Sequence, residues 1–383
     1  MKSSFVLPEL TDPVYLDYNA TTPVDPRVAN EMQPFLCTDF GNPSSGHSYG
    51  IQTKRAINKA RQQVADLLNC SPASLLFTSG GTEANNHAIR GYAFAHQKKG
   101  NHLVTTSIEH PAVLNVCHYL EKFGFEITIV PVDQFGMVDP KSIEKAIRPE
   151  TILISVMLAN NEVGTIQPVR EICEIAHKNG IAVHCDAAQA VGKIPVDVNE
   201  LGIDLLSVAG HKFYAPKGIG ALYIKPGTEL EVFMLGGGQE NGQRAGTENI
   251  LEIVGLGAAA AIAKENLLSE MQHSRHLRDL LWQGIQQKFP TARLNGHPEK
   301  RLPNTLNVSF PAVDEFSILN IFSEIAASAG AACHAKDISI SPVLQAMQVP
   351  LEYARNTIRF SVGRFTTEAH IEKALKILDN LRI

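Results

Sequence analysis

From about residue 73 onward, short apolar runs alternate with stretches whose apolar residues recur at helical spacing. Residues 74–78, 102–106, 126–132, 152–158, 181–185, 204–208 and 220–224 predict strands, and 83–96, 111–122, 140–147 and 169–179 predict helices. Alternation of this kind builds an α/β architecture, a mostly parallel sheet sandwiched by helices, whose ligands bind beyond the carboxyl ends of the strands. Two residues with chemistry stand at such ends. The strand over 181–185 runs into Asp186, and the strand over 204–208 leads through Ala209-Gly210-His211 to Lys212.

The rhythm breaks at the Gly-rich loop Leu235-Gly236-Gly237-Gly238-Gln239. After it, 248–270 reads as one long Ala-rich helix that links two domains. The segments 274–289, 293–310, 315–327, 357–361 and 367–382 read as a smaller α+β unit. With 383 residues the chain is too long for one ordinary core. The expected division is a large domain over 17–261 and a small domain formed by 1–16 with 262–383. Gly255-Leu256-Gly257 resembles part of a dinucleotide fingerprint, but it lies inside the predicted helix with no strand before it, which excludes that role.

Composition narrows the function. A net charge of -5 gives no electrostatic footprint for nucleic acid, and no apolar run approaches the roughly 18 residues that cross a bilayer. The first residues lack the apolar block of a secretory signal, so a cytoplasmic protein acting on small molecules is expected. Six cysteines are scattered without metal-ligand spacing. Five lie in apolar, element-like stretches, where a thiol behaves as a small hydrophobe. Cys333 differs: it lies among small residues in Ser328-Ala329-Gly330-Ala331-Ala332-Cys333-His334, before a Ser/Asp/Pro-bearing loop, and is a candidate nucleophile.

An amine and a carboxylate at two strand ends suit pyridoxal 5'-phosphate (PLP), which needs a Schiff-base lysine and an acid facing its ring nitrogen. Taken singly, Lys212 reads as a surface lysine and Asp186 as a helix cap, and only the whole constellation overturns that reading. Thr78-Ser79-Gly80-Gly81-Thr82-Glu83 follows a strand and opens a helix, so its N–H groups and the Thr82 hydroxyl offer either a phosphate cradle or an ordinary capped turn. Near the C-terminus Arg359 could grip an α-carboxylate with its fork, and Arg364 competes for that role.

Together these segments resemble the cysteine desulfurases, PLP-dependent enzymes of fold type I among the class V aminotransferases. The resemblance runs from Tyr15-Leu16-Asp17-Tyr18-Asn19-Ala20-Thr21-Thr22-Pro23 to Arg359-Phe360-Ser361-Val362-Gly363-Arg364. It takes in Gly41-Asn42-Pro43-Ser44-Ser45, Glu109-His110-Pro111, Asn160-Asn161-Glu162 and Arg244-Ala245-Gly246-Thr247 on the way. It implies Lys212 as the Schiff-base lysine, Asp186 as partner of the ring nitrogen and Gln189 as donor to the ring 3'-oxygen. His110 would stack on the ring and move protons. Asn161 and Arg359 would hold the substrate carboxylate, with Ala20 and Thr21 beside the substrate. Thr82, Gly81 and His211 would bind the phosphate, joined by Thr247 from the second subunit of a homodimer. Cys333 would take sulfur from L-cysteine as a persulfide and pass it to an acceptor protein, leaving L-alanine.

Two departures matter. Ala209 stands where many desulfurases place a second phosphate-binding hydroxyl. The surroundings of Cys333, with Ser341-Pro342-Val343-Leu344, are also similar to selenocysteine lyases, which keeps that activity as the alternative. Another class V aminotransferase, with Cys333 incidental, and a non-catalytic scaffold of the same fold are the remaining rivals. The long separation of Cys333 from Arg359 is similar to that of desulfurases with an extended cysteine loop. A segment from Ala329 to Ser341, stretched at about 3.3 Å per residue, would reach roughly 40 Å.

Overall fold

The computed structural model describes residues 5–6, 9–311, 313, 318, 320–329, 331–334 and 337–381, the side chains of 331–339 excepted. After a short strand β1 (Val14–Tyr15), seven strands form the central sheet: β2 (Leu75–Thr78), β3 (His102–Thr106), β4 (Glu126–Val130), β5 (Thr151–Ser155), β6 (Ala182–Asp186), β7 (Leu205–Ala209) and β8 (Gly220–Ile224). Their order is β2-β8-β7-β6-β5-β3-β4. All contacts are parallel except those of β8, which runs antiparallel to both neighbours.

The strands other than the edge strand β4 are buried on both faces, which is why they read as continuous apolar runs. Alternation along each strand sends its side chains to opposite sides. Leu206, Val104 and Ile154 enter one core with Ile57 and Val64 of the helix Ser48–Leu68 and Ile172 of the helix Val169–Lys178. Leu205, Leu103 and Leu153 enter the other with Ile89 of the helix Gly81–His96 and Leu120 of the helix Pro111–Glu121.

The expected linking helix is longer than its pattern predicts. It runs from Ile250 to Lys288 as one 39-residue element and absorbs the separate helix expected at 274–289. Met271-Gln272-His273 contains neither Gly nor Pro, so nothing interrupts the backbone ladder there. Its first half packs in the first core through Leu256 and Ala260, and its second half packs through Leu277, Leu281 and Ile285 in a third core. That third core lies under an antiparallel sheet of β9 (Arg293–Asn295), β10 (Thr305–Ser309), β12 (Ser328–Ala329) and β15 (Thr357–Ser361), in the order β12-β15-β10-β9. Strand β11 (Ile325–Ala326) pairs with β1.

Residues around Cys333 depart from the expected loop. Ala331–His334 (β13) and Asp337–Ile340 (β14) pair as an antiparallel hairpin in which Cys333 faces Ile338 across the ladder. Of the other five cysteines, Cys117, Cys173 and Cys185 are buried as expected, whereas Cys70 is half-buried and Cys37 is exposed at the end of a four-residue helix. Among the described residues, no helix is long and apolar enough to cross a membrane.

The glycines that resemble a nucleotide fingerprint serve packing. A Cβ on Gly257 would sit 2.5 Å from Cα of Ala60 in the helix Ser48–Leu68. Gly257→Ala should therefore destabilise the protein by about 1–3 kcal/mol from overpacking, although Ala is the better helix former. A lowered urea midpoint with an unchanged m-value is the expected result. A raised midpoint would show that the two helices have room to part.

Candidate active site

Asp186 ends β6 with its carboxylate 5% exposed. Asn85 donates to Oδ2 at 2.7 Å and the backbone N–H of Ala188 to Oδ1 at 2.9 Å, so the group is held rigidly at the sheet edge. Lys212 leaves β7 through the one-turn helix Gly210–Lys212, and its Nζ donates to the carbonyls of Asn19 and Ala20, each at 2.8 Å. Burial, followed by repulsion from the Arg359 guanidinium, brings its ammonium down to about 8.

Strand β2 delivers Gly81 and Thr82 to the start of the helix Gly81–His96. The cap is Gly80 at φ +148°, which has no side chain to satisfy the first N–H groups; Thr82 stands inside the helix rather than capping it. The helix end is thus open to an anion. His110 caps the helix Pro111–Glu121 through Nδ1, which accepts from the N–H of Ala112 at 3.0 Å, so the neutral ring carries its proton on Nε2. Burial lowers the pKa of His110 and brings that of His211 down to about 4, with the Lys212 charge adding to both.

These groups converge. Lys212, Asp186, His110, Thr82, Gln189 and Arg359 line one cavity of about 400 Å³, and Ala20, Gly81, Asn161 and His211 complete the expected set within it. Thr21 stands just outside, its Oγ1 3.1 Å from Nδ1 of His211, in a recess it shares with Gly80 and Lys217. Thr247 is exposed and does not line the cavity. The side chain of Cys333 lies outside the described residues.

The choice between the two arginines follows from their partners. Arg364 is committed to Asp25 and Glu270 and lies over the ring of Tyr214, 4.1 Å from its centroid. Arg359, on β15, donates to the carbonyl of Asn161 at 3.1 Å, to Asp17 at 2.7 Å and to the Ser328 hydroxyl at 2.6 Å. Its Nε is buried without a partner among the described residues, and Arg359, unlike Arg364, lines the cavity.

Sequence reasoning gave no role to Asn85, Lys193 or Glu109. Asn85 follows Thr82 by three residues on the same helix face, and Asn is a poor residue for a helix interior; both were readable signals. Lys193 is half-buried, and its Nζ donates to Oε1 of Gln189 at 2.5 Å and to Oδ1 of Asn19 at 3.1 Å. Burial pushes the ammonium well below its ordinary range. Because Oε1 of Gln189 faces this donor, its amide nitrogen is the end that donates to the Asn19 carbonyl, at 2.9 Å.

Glu109 lies behind His110. Its Oε1 accepts from Thr106 at 2.6 Å and from the N–H of Met157 at 3.0 Å, while Oε2 is buried without a partner among the described residues. Burial raises this carboxyl from 4.5 to about 8, so the native state keeps a proton that the unfolded chain releases near 4.5. Stability from this group is full below pH 4.5 and is lost as pH rises through about 8. Glu109→Gln should fold and flatten that part of the stability profile, measured by urea unfolding at stepped pH. An unaltered slope between those limits would assign the pH dependence elsewhere.

Known proteins are similar to this chain along nearly its whole length. A cysteine desulfurase IscS from Dictyoglomus turgidum is 48% identical over 370 residues, covering 96% of this chain and 94% of that protein. Another, from Methanosarcina thermophila, is 47% identical with coverages of 96% and 91%. Among solved structures, a NifS-like protein superposes with a TM-score of 0.89 at 40% identity, covering 95% of this chain and 98% of that one. SspA in complex with cysteine superposes with a TM-score of 0.82 at 38% identity, covering 92% and 99%. With residues 14–374 matching the aminotransferase class-V family and these likenesses covering more than nine-tenths of the chain, the chain belongs to that family, in its branch of cysteine desulfurases.

Proposed function

We propose that the chain is a PLP-dependent cysteine desulfurase that converts L-cysteine to L-alanine and leaves the substrate sulfur on Cys333 as a persulfide. The observation that carries this reading is the meeting of Lys212, Asp186 and Arg359 in one cavity, an amine and an acid from adjacent strands with a carboxylate fork from the second sheet. The residues fit the cofactor. An uncapped helix end suits a phosphate, and a fixed carboxylate suits a ring nitrogen. When bound, PLP supplies an aldehyde for the amine and an electron sink for the Cα carbanion.

The chain's own groups then have distinct work. Lys212, its ammonium brought down to about 8, would hold the cofactor and afterwards take the Cα proton. Asp186 would keep the ring nitrogen protonated, and the Gln189 amide nitrogen would donate to the ring 3'-oxygen. Gly81, Thr82 and His211 hold the phosphate, with Thr247 reaching in from a second copy of the chain. His110 packs on the ring and moves a proton through Nε2. Arg359 and Asn161 fix the substrate carboxylate, with Ala20 and Thr21 alongside. The Cys333 thiolate attacks the substrate sulfur; the S–S bond forms as the Cβ–S bond breaks, and the electron pair stays with Cβ, which takes a proton. Sulfur is oxidised and Cβ reduced, so no outside redox partner enters.

A homodimer accords with the exposed aromatic pair Phe40 and Tyr49 and with Leu235, 84% exposed on the Gly-rich loop. The division at 261, a cytoplasmic location where thiols stay reduced, and a sulfur-acceptor protein complete the reading. A selenocysteine lyase would use the same residues, but the relatives named above are desulfurases, which favours cysteine.

Two outcomes test the reading. Cys333→Ser should keep the PLP absorbance yet form no protein persulfide with L-cysteine, read by intact mass; persulfide elsewhere on that variant would displace Cys333 from its role. The rate at which apoprotein captures PLP should rise with pH through about 8. In Arg359→Ala, with one cation removed, the rise should move to higher pH. A profile that does not move would show that the low lysine pKa has another origin.

A further inference from the structure

The hairpin that carries Cys333 is held at both ends by groups that frame the carboxylate site. On the incoming side Ser328 lies opposite Arg359 in the β12–β15 ladder. Its hydroxyl accepts from that guanidinium at 2.6 Å and donates to Asp17 at 2.9 Å. On the outgoing side β14 ends at Ile340, and the next residue, Ser341, donates its hydroxyl to Oε2 of Glu162.

Ser341 needs no such contact to do its local work. Its oxygen already caps the helix Pro342–Ala346 by accepting from the N–H groups of Val343 and Leu344, at 3.1 and 3.3 Å. Donation to Glu162 is an additional bond, and it crosses to the segment after β5. That segment is firmly placed. The N–H of Glu162 donates to Asn160 at 2.8 Å, and its carbonyl accepts from Asn307 of β10 at 3.2 Å. Val343, Leu344 and Met347 meanwhile pack on Ile108, Met157 and Val163, which flank His110 and Asn161.

Glu162 therefore links two parts of the site with different tasks. It adjoins Asn161, whose carbonyl is held by Arg359, and it grips the point where the cysteine hairpin ends. We infer that Glu162 is a positioning residue for sulfur transfer, its bond to Ser341 fixing the outgoing end of the Cys333 hairpin beside the substrate carboxylate. This inference rests on the desulfurase reading. Glu162 touches neither cofactor nor substrate in it; the residue acts through Ser341 on where the hairpin stands.

The experiment uses PLP-loaded protein and a single turnover of L-cysteine, with persulfide on Cys333 quantified by mass against time. Glu162→Ala should slow persulfide formation about tenfold, the loss expected for one hydrogen bond to a charged group. The PLP spectrum and the L-cysteine concentration for half-maximal rate should stay as in the wild type. Glu162→Gln keeps an acceptor oxygen and should recover most of the rate, which a general loss of packing would not allow. The double variant Glu162→Ala/Ser341→Ala should be no slower than the slower single variant. If Glu162→Ala folds poorly, Ser341→Ala against Ser341→Thr makes the same comparison, with Thr restoring the hydroxyl. A wild-type rate in Glu162→Ala or Ser341→Ala, or additive losses in the double variant, would overturn the clasp while leaving the desulfurase reading intact. Absence of persulfide on Cys333 in the wild type would overturn both.

Discussion

Asn19 spends every hydrogen-bonding atom it has on joining the two sheets, and the site depends on that junction. Its N–H donates to Ser361 at 2.9 Å, and its amide nitrogen to Thr305 at 2.8 Å and the carbonyl of Asn161 at 3.1 Å. Its side-chain oxygen accepts from Lys193 and Asn304, and its carbonyl from Lys212 and Gln189. The residue is 1% exposed, so each lost partner would leave a dry polar atom at a cost of about 1–3 kcal/mol. Satisfying all of them fixes the amine, the Gln189 amide and the second sheet relative to one another. Rigidity here comes from polar saturation rather than apolar packing.

The same junction concentrates positive charge. Burial is the main penalty on the charge of Lys193 and of Lys212, and repulsion from Arg359 adds to it at both. Asp186 and Asp17 partly oppose this at Lys212. Such a cavity is short of negative charge, and a phosphate at one end with a carboxylate at the other would supply it. Anions that bind only the folded chain also stabilise it by mass action. Burial is the first cause of the low lysine pKa, and the neighbouring cations that add to it are the groups an anionic ligand would meet.

Much of this was legible in the chain. Lys212 and Asp186 declare themselves because each terminates an apolar run, a local feature. The strands of the central sheet stand within a few residues of their expected places for the same reason. The helix Ser48–Leu68 was passed over, although Ile57, Ala60, Val64 and Leu68 carry its buried stripe at helical spacing. Strand β8 reads like its neighbours because burial on both faces erases any mark of direction. The partners of Asn19 and Asn85 are distant in sequence, Asn85 meeting Asp186 across 101 residues and Asn19 meeting Ser361 across 342, and Lys193 likewise reaches Asn19 across 174. Arg359 and Arg364 could not be ranked by pattern, because the carboxylates that occupy Arg364 are themselves remote.

The chain's first strand belongs with its last third. β1 pairs with β11 through Val14 and Ile325, and Asp17 bridges to Ser361. During synthesis the helix-covered sheet can assemble behind the ribosome, while the segment from Val14 to Asn19 waits for partners made roughly tens of seconds later, at about 5–20 residues per second. A nascent chain that ends before β15 holds the amine and the acid but not the fork that would select an amino acid. If Arg359 grips the substrate as proposed, substrate recognition comes later in synthesis than the amine and the acid, and a chain interrupted before β15 is left without it.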